Sequence, residues 1–174
     1  IKIAKENNTK VAFTLSDSFC VMRHKEDFLN LINDVDILFA NEAEIKSLLS
    51  ADDINFAKVK ELAKDNENLI IAITRSENGA LIFDNQNGND FYQAPTNKVN
   101  NIVDVTGAGD CFAAGFLYGI TNNYSLEKAA QIGNLFGGYI IQKLGARLNQ
   151  EEIVEINQLL NEKFGKESKL QINS

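Results

Sequence analysis

The stretch Leu69-Ile70-Ile71-Ala72-Ile73-Thr74 constrains the fold of this chain more than any other. Its hydrophobicity is continuous rather than alternating and it is rich in β-branched residues, the pattern of a strand covered on both faces. Such a strand sits inside a sheet with helices packed over it. The neighbouring sequence agrees. Residues 11–15 and 36–40 are two more short apolar runs that read as buried strands. Residues 25–32 and 56–64 carry helical spacing, and Asn41-Glu42-Ala43-Glu44 opens a helix reaching about Leu49. Residues 80–83 and 91–93 form a predicted hairpin around Asn87-Gly88, a strong turn signal. Further helices are predicted over 111–120, from the N-cap Ser125 to Leu144 with Gly145 as its stop, and over 151–164. Alternating strands and helices ending in a helical run predict an α/β domain. Its sheet is mostly parallel, with a hairpin at one edge. Phe19 and Phe39 read as core and His24 as a surface or substrate-side residue. Residues 166–174 read as a polar, frayed tail behind a functional portion spanning 1–165.

Composition narrows the partners. With 174 residues and 44% hydrophobic content the chain can bury a real core as one domain. Its formal net charge of −7 argues against nucleic acid or an anionic membrane as the main partner. An anionic substrate then needs a local device such as a helix N-terminus. Two cysteines, Cys20 and Cys111, and one histidine, without a CxxC, give neither a disulfide framework nor a Cys/His zinc site. With no signal peptide or long apolar run, the expectation is a soluble cytoplasmic protein. The chain opens Ile1-Lys-Ile-Ala-Lys, as if in mid-helix, and is expected to be part of a longer polypeptide.

The chemistry concentrates in Thr106-Gly107-Ala108-Gly109-Asp110. Side chains there are nearly absent immediately before a helix, so backbone N–H groups can approach a ligand closely. Those N–H groups lack intrahelical acceptors, and the helix dipole adds partial positive charge, which together suit a phosphate. Asp110 stands beside that pocket, where a carboxylate can take the proton of an attacking hydroxyl. The bland alternative is a glycine turn with Asp110 as a helix-start charge. A dinucleotide fingerprint is excluded because Phe112 stands where glycine is needed, and a P-loop because Gly-Lys-Ser/Thr is absent.

The run Asp104-Val-Thr-Gly-Ala-Gly-Asp110-Cys-Phe-Ala-Ala-Gly-Phe resembles the C-terminal signature of the ribokinase-like (PfkB) carbohydrate kinases. Asp17-Ser-Phe-Cys20 with Arg23-His24, Phe39-Ala-Asn-Glu-Ala-Glu44 and Phe116-Leu-Tyr-Gly119 resemble its bacterial adenosine kinase-like branch. The resemblance implies a doubly wound α/β/α sandwich, of which the N-terminal half and lid are missing here. It implies ATP as donor, Mg²⁺ as cofactor and a small nucleoside or sugar as acceptor. Asp110 would be the catalytic base, and the N–H groups of Gly107, Ala108 and Gly109 the anion hole beside Thr106. Asn41 and Glu44 match an Asn-x-x-Glu motif that organises Mg²⁺ through water. Thr74-Arg75-Ser76-Glu77-Asn78-Gly79 is similar to the family's nucleotide loop, with Ser76 in place of a glycine, and reads otherwise as a plain strand-to-hairpin turn. Asn134 would line the adenine pocket. Its helix also carries Gly133, Gly137 and Gly138, which imply close approach of either a backbone or a flat ring. Asp104 and Gly145 fall where some relatives bind a monovalent cation such as K⁺. The function expected is transfer of the γ-phosphate of ATP to adenosine or a similar ribonucleoside. The alternatives are a ribose- or fructose-type sugar kinase and a silent nucleotide-binding fragment. A homodimer is expected only of the full-length protein.

Overall fold

The computed structural model describes residues 1–86 and 90–165, and within the chain two compact units, Ile1–Pro95 and Thr96–Ser174. The Asn87-Gly88 turn and the tail from residue 166 lie outside the described residues.

The first unit runs α1 (Lys2–Glu6), β1 (Ala12–Thr14), α2 (Ser18–Arg23), α3 (Lys25–Ile32), β2 (Ile37–Asn41), α4 (Glu42–Leu49), α5 (Phe56–Ala63), β3 (Ile70–Thr74), a 3₁₀ turn (Ser76–Asn78), β4 (Ala80–Asp84) and β5 (Asp90–Ala94). The five strands form one sheet in the order β1-β2-β3-β4-β5. The first three are parallel, and β3-β4 and β4-β5 are antiparallel. Chain length explains the change. Helices connect β1 to β2 and β2 to β3, whereas only residues 75–79 link β3 to β4, too few for the crossover a parallel pair requires. The hairpin thus lies at the edge expected of it.

Ile71, Ala72 and Ile73 are all fully buried, as the continuous apolar run demands. Ile71 and Ile73 pack with Leu38, Ile45, Leu48, Val59 and Phe83 in one core. Each buried Ile or Leu there stabilises the unit by about 1.5–3 kcal/mol. Two expectations fail. β1 is an edge strand whose Ala12 and Thr14 are exposed, so it is not a buried strand. Phe19 is 68% exposed. The carboxylate of Asp17 accepts the Cys20 N–H at 2.8 Å and starts a short helix there, which turns Val21 inward and Phe19 and Met22 outward. Phe39 is core and His24 lies at the surface, as read.

The second unit holds α6 (Ala108–Thr121), α7 (Leu126–Ile140) and α8 (Gln150–Phe164). Ser125 caps α7 as expected, accepting the Lys128 N–H at 3.2 Å. α6 begins at Ala108, earlier than residue 111, because Gly107 itself takes the left-handed conformation that starts it. α7 stops at Ile140 rather than Leu144. The Ile141 carbonyl accepts the N–H groups of Val103 and Asp104 instead of continuing the helix, which leaves Leu144 86% exposed.

The α6–α7 contact is a seam of glycines. A Cβ at Gly115 would lie 2.8 Å from the Ile132 carbonyl oxygen, at Gly119 2.6 Å from Ala129 Cα, and at Gly133 2.8 Å from the Phe112 ring. Gly137 faces the Ala108 carbonyl oxygen at 3.2 Å. Of the two readings of these helix glycines, close approach of another backbone is therefore the one seen at Gly133 and Gly137, whereas Gly138 meets only an ordinary contact with Val99. The loss of helix propensity, about 1 kcal/mol per glycine, is offset by close packing.

Candidate active site

The motif at residues 106–110 folds as a tight turn feeding α6. Gly107 is its N-cap at φ 79°, ψ 2° and has no side chain to cap with. The Ala108 N–H donates to the Val105 carbonyl at 3.2 Å. Of the three amides named for an anion hole, that one is partly engaged. The N–H groups of the first helical turn have no intrahelical acceptor. Gly109 faces open space, since a Cβ built there would meet nothing within 4 Å.

Asp110 occupies the third position of α6. Glu44 on α4 and Glu152 on α8 hold the same position in their helices, and each folds back onto its N-cap asparagine in a capping box. Asp110 does not. It follows a glycine cap, is exposed, and makes no hydrogen bond among the described residues. Its carboxylate is left free at the positive end of a helix, available to a ligand. The neighbouring Cys111 thiol is pushed up by burial and by the Asp110 charge, so it is not a reactive thiolate.

Asp104 organises the turn. Its Oδ1 accepts the Thr106 N–H at 2.9 Å and its Oδ2 the Gly145 N–H at 3.0 Å. The hydroxyl and N–H of Thr106, with the Gly145 N–H, hold the Asp104 carboxyl below its ordinary value. The two residues named for a monovalent cation are thus direct neighbours. Gly145 is itself at φ 92°, although it is not the stop of α7. Asn134 sits half-buried on α7 beside Gly133.

The remaining residues belong to the first unit. The register pairs Asn41 with Thr74 at the C-terminal ends of the parallel strands β2 and β3, where doubly wound sheets bind ligands. The Asn41 side chain accepts the Glu44 N–H at 2.9 Å, while its own backbone N–H and Nδ2 donate to Glu44 at 2.9 and 2.7 Å. Glu44 is 5% exposed, so it is neither a solvated helix charge nor an open ligand. Among the described residues no group of three or more His, Cys, Asp or Glu can hold a metal ion directly. That donor set fits a magnesium ion that keeps its water and is held through it, because a carboxylate engaged twice still has lone pairs to spare.

Burial pushes the Glu44 carboxyl above its ordinary 4.5. The Asn41 backbone hydrogen bond opposes the rise and the Asp17 charge adds to it. A carboxyl raised in the folded state binds its proton more tightly there than in the unfolded chain. Its stabilising contribution is therefore present below pH 4.5 and is lost as pH climbs through the folded value. The stability of wild type minus that of Glu44→Gln is expected to fall over that range in urea titrations at stepped pH. A flat difference would contradict the burial argument.

The loop after β3 adopts a 3₁₀ turn in which the Arg75 N–H donates to the Gly79 carbonyl at 2.7 Å. Thr74 Oγ1 reaches the Ala40 carbonyl at 3.5 Å. Arg75 is not a loose surface charge, because its Nε lies 3.4 Å from Glu42 Oε1 at the start of α4. Ser76 stands at φ 49°, so the position does call for glycine, and a left-handed L-residue costs about 1–2 kcal/mol. Ser76→Gly is expected to stabilise the chain by about 1 kcal/mol, less than the full strain because glycine loses more entropy on folding. Thermal unfolding measures this, and an unchanged midpoint would mean the strain is absent.

Sequence reading missed the Arg75–Glu42 pair and, Gly145 apart, the part played by residues 141–146. The first joins charges far apart in sequence. The second acts mainly through backbone groups, which side-chain identity does not reveal.

Comparison with known proteins gives a consistent result. The model of the pfkB family carbohydrate kinases matches residues 1–153. Ribokinase of Lactococcus lactis is 32% identical over 161 residues, covering 92% of this chain and 48% of that protein. Adenosine kinase of Saccharomyces cerevisiae is 26% identical, covering 86% and 46%. Among solved structures, adenosine kinase from Sinorhizobium meliloti aligns with TM-score 0.81 at 36% identity, over 91% of this chain and 47% of that one. A probable sugar kinase from Rhizobium etli aligns with TM-score 0.80 at 40% identity over the same shares. The chain spans about half the length of these relatives.

Proposed function

Because the chain belongs to the pfkB family of carbohydrate kinases, we propose that it is the catalytic portion of an ATP-dependent kinase acting on adenosine or a similar ribonucleoside. The observation that carries this is the uncapped start of α6: a helix N-terminus with a glycine turn and an exposed Asp110 carboxylate that makes no hydrogen bond among the described residues. The N–H groups of Gly107, Ala108 and Gly109 gather the charge of the transferring phosphoryl group. Asp110 accepts the proton of the acceptor hydroxyl. As it does, the oxygen–phosphorus bond forms, the bond from the γ-phosphorus to the bridging oxygen breaks, and ADP leaves. Asp104 holds Thr106 and so the shape of the turn. Thr74, Arg75, Ser76, Gly79, Asn41 and Asn134 are assigned to the nucleotide. Glu44 would hold Mg²⁺ through water, and the ion supplies neutralisation of phosphate charge. Asp104 and the Gly145 carbonyl would hold a monovalent cation.

Support for a nucleoside comes from the adenosine kinase relatives. The ribokinase and sugar kinase relatives favour the second reading, a sugar acceptor. Coupled ADP-release assays on the full-length protein separate them. Release dependent on adenosine and not on ribose or fructose supports the first reading, and the reverse supports the second. Nucleotide binding by calorimetry without turnover on any acceptor would leave a silent binding module.

A further inference from the structure

Four contacts join the phosphate turn to residues 141–146. The Ile141 carbonyl accepts the Val103 and Asp104 N–H groups at 2.8 and 3.2 Å. The Gly145 N–H donates to Asp104 Oδ2 at 3.0 Å. Ala146 lies so near Gly107 that a Cβ on that glycine would come within 2.8 Å of the Ala146 Cβ. Residues 141–146 are therefore the surface on which the turn is moulded, and something must fix that surface. Apolar packing does little of it, since Leu144 projects into solvent.

Lys143 supplies the tether. Its Nζ lies 3.4 Å from Glu155 Oε2 and 4.0 Å from Glu152 Oε1, both on α8, and 5.1 Å from the Tyr139 ring centroid. The Tyr139 hydroxyl, in the last turn of α7, donates to the same Glu155 Oε2. The anchor is firm, because Glu152 also closes the α8 capping box with Asn149. Ile156 and Leu160 pack α8 into the core shared with Ile132, Phe136 and Tyr139. An isolated surface ion pair has little effect on global stability. Here the groups converge on a segment whose backbone shapes a functional turn.

We propose that Lys143, gripped by Glu155, Glu152 and Tyr139, is a positioning residue through which α8 sets the geometry of residues 104–110 without touching any reacting atom. The functional half of this inference rests on reading residues 106–110 as the phosphate site.

The test compares Lys143→Met with the conservative Lys143→Arg in the full-length protein, by hydrogen exchange and by steady-state kinetics. In Lys143→Met, exchange over residues 103–111 is expected to speed up roughly three- to fivefold while residues 112–121 keep their protection. The unfolding midpoint should move by no more than about 2 °C. The kcat should fall by roughly the same three- to fivefold factor with the acceptor KM unmoved, and arginine should restore both exchange and kcat. Unchanged exchange over 103–111 in Lys143→Met overturns the tether. So does failure of arginine to restore it. If exchange speeds up as expected but the wild type binds no nucleotide, the tether stands and the phosphate reading falls.

Discussion

Replacing Asp110 by asparagine is expected to lower kcat by roughly 100- to 10,000-fold, the range a positioned general base supplies. ATP affinity should stay nearly unchanged. The structure makes this substitution unusually clean. At the matching helix position, Glu44 and Glu152 each complete a capping box, so changing either would disturb its own helix start. Asp110 completes nothing, and loss of its charge at the helix start costs at most about 1 kcal/mol. A drop in turnover without a matching drop in unfolding midpoint would therefore report chemistry. Retained wild-type turnover in Asp110→Asn would remove this carboxylate from the mechanism.

The second large effect separates the two glycines of the motif. Gly107 is left-handed, and a methyl there would sit 2.8 Å from Ala146 Cβ and 3.0 Å from its Cα. Gly107→Ala is expected to destabilise the chain by about 2–5 kcal/mol, from the positive φ and from overpacking together. Gly109→Val should not, because beyond its chain neighbours and its own helix backbone the new Cβ meets nothing within 4 Å among the described residues. Its cost should appear only against ligand, as nucleotide binding weakened by about tenfold or more once methyl groups fill the space a phosphate needs. Denaturant unfolding and calorimetry on both variants give a crossed pattern: one fails to fold well, the other folds and fails to bind. Unaltered KM and kcat in Gly109→Val would mean that the open face of the turn is not where the phosphate lies.

The parts of the fold legible in the sequence were those with a periodic or positional code. The continuous run at β3, the Asn-x-x-Glu start of α4, the cap at Ser125 and the hairpin each have one, and all are found. Helix ends without such a code were misplaced. α6 starts early because a left-handed glycine can begin a helix as well as end one, and Gly145 has a positive φ without being a helix stop. Phe19 was misread because hydrophobicity alone does not say which way a one-and-a-half-turn helix faces. Within the candidate site, the chemistry expected rests on the identities of Gly107, Gly109 and Asp110. The tie from Asp104 to Gly145 and the Arg75–Glu42 pair needed coordinates, since each joins a side chain to a partner that sequence spacing does not disclose.

The glycine-lined junction of α6 and α7 has a consequence for how accurately this protein can aim. Where two helices meet through side chains, rotamer changes let one slide or roll against the other. Here Gly115, Gly119 and Gly133 leave main chain and ring atoms in direct contact, and Gly137 extends the junction to Ala108, the first residue of α6. Neither helix can rotate without a collision, so the direction of Asp110 is fixed by what those four positions lack. Drift in this lineage should then be freest on the outward faces of both helices and most restricted along that bare strip, even far from any reacting group.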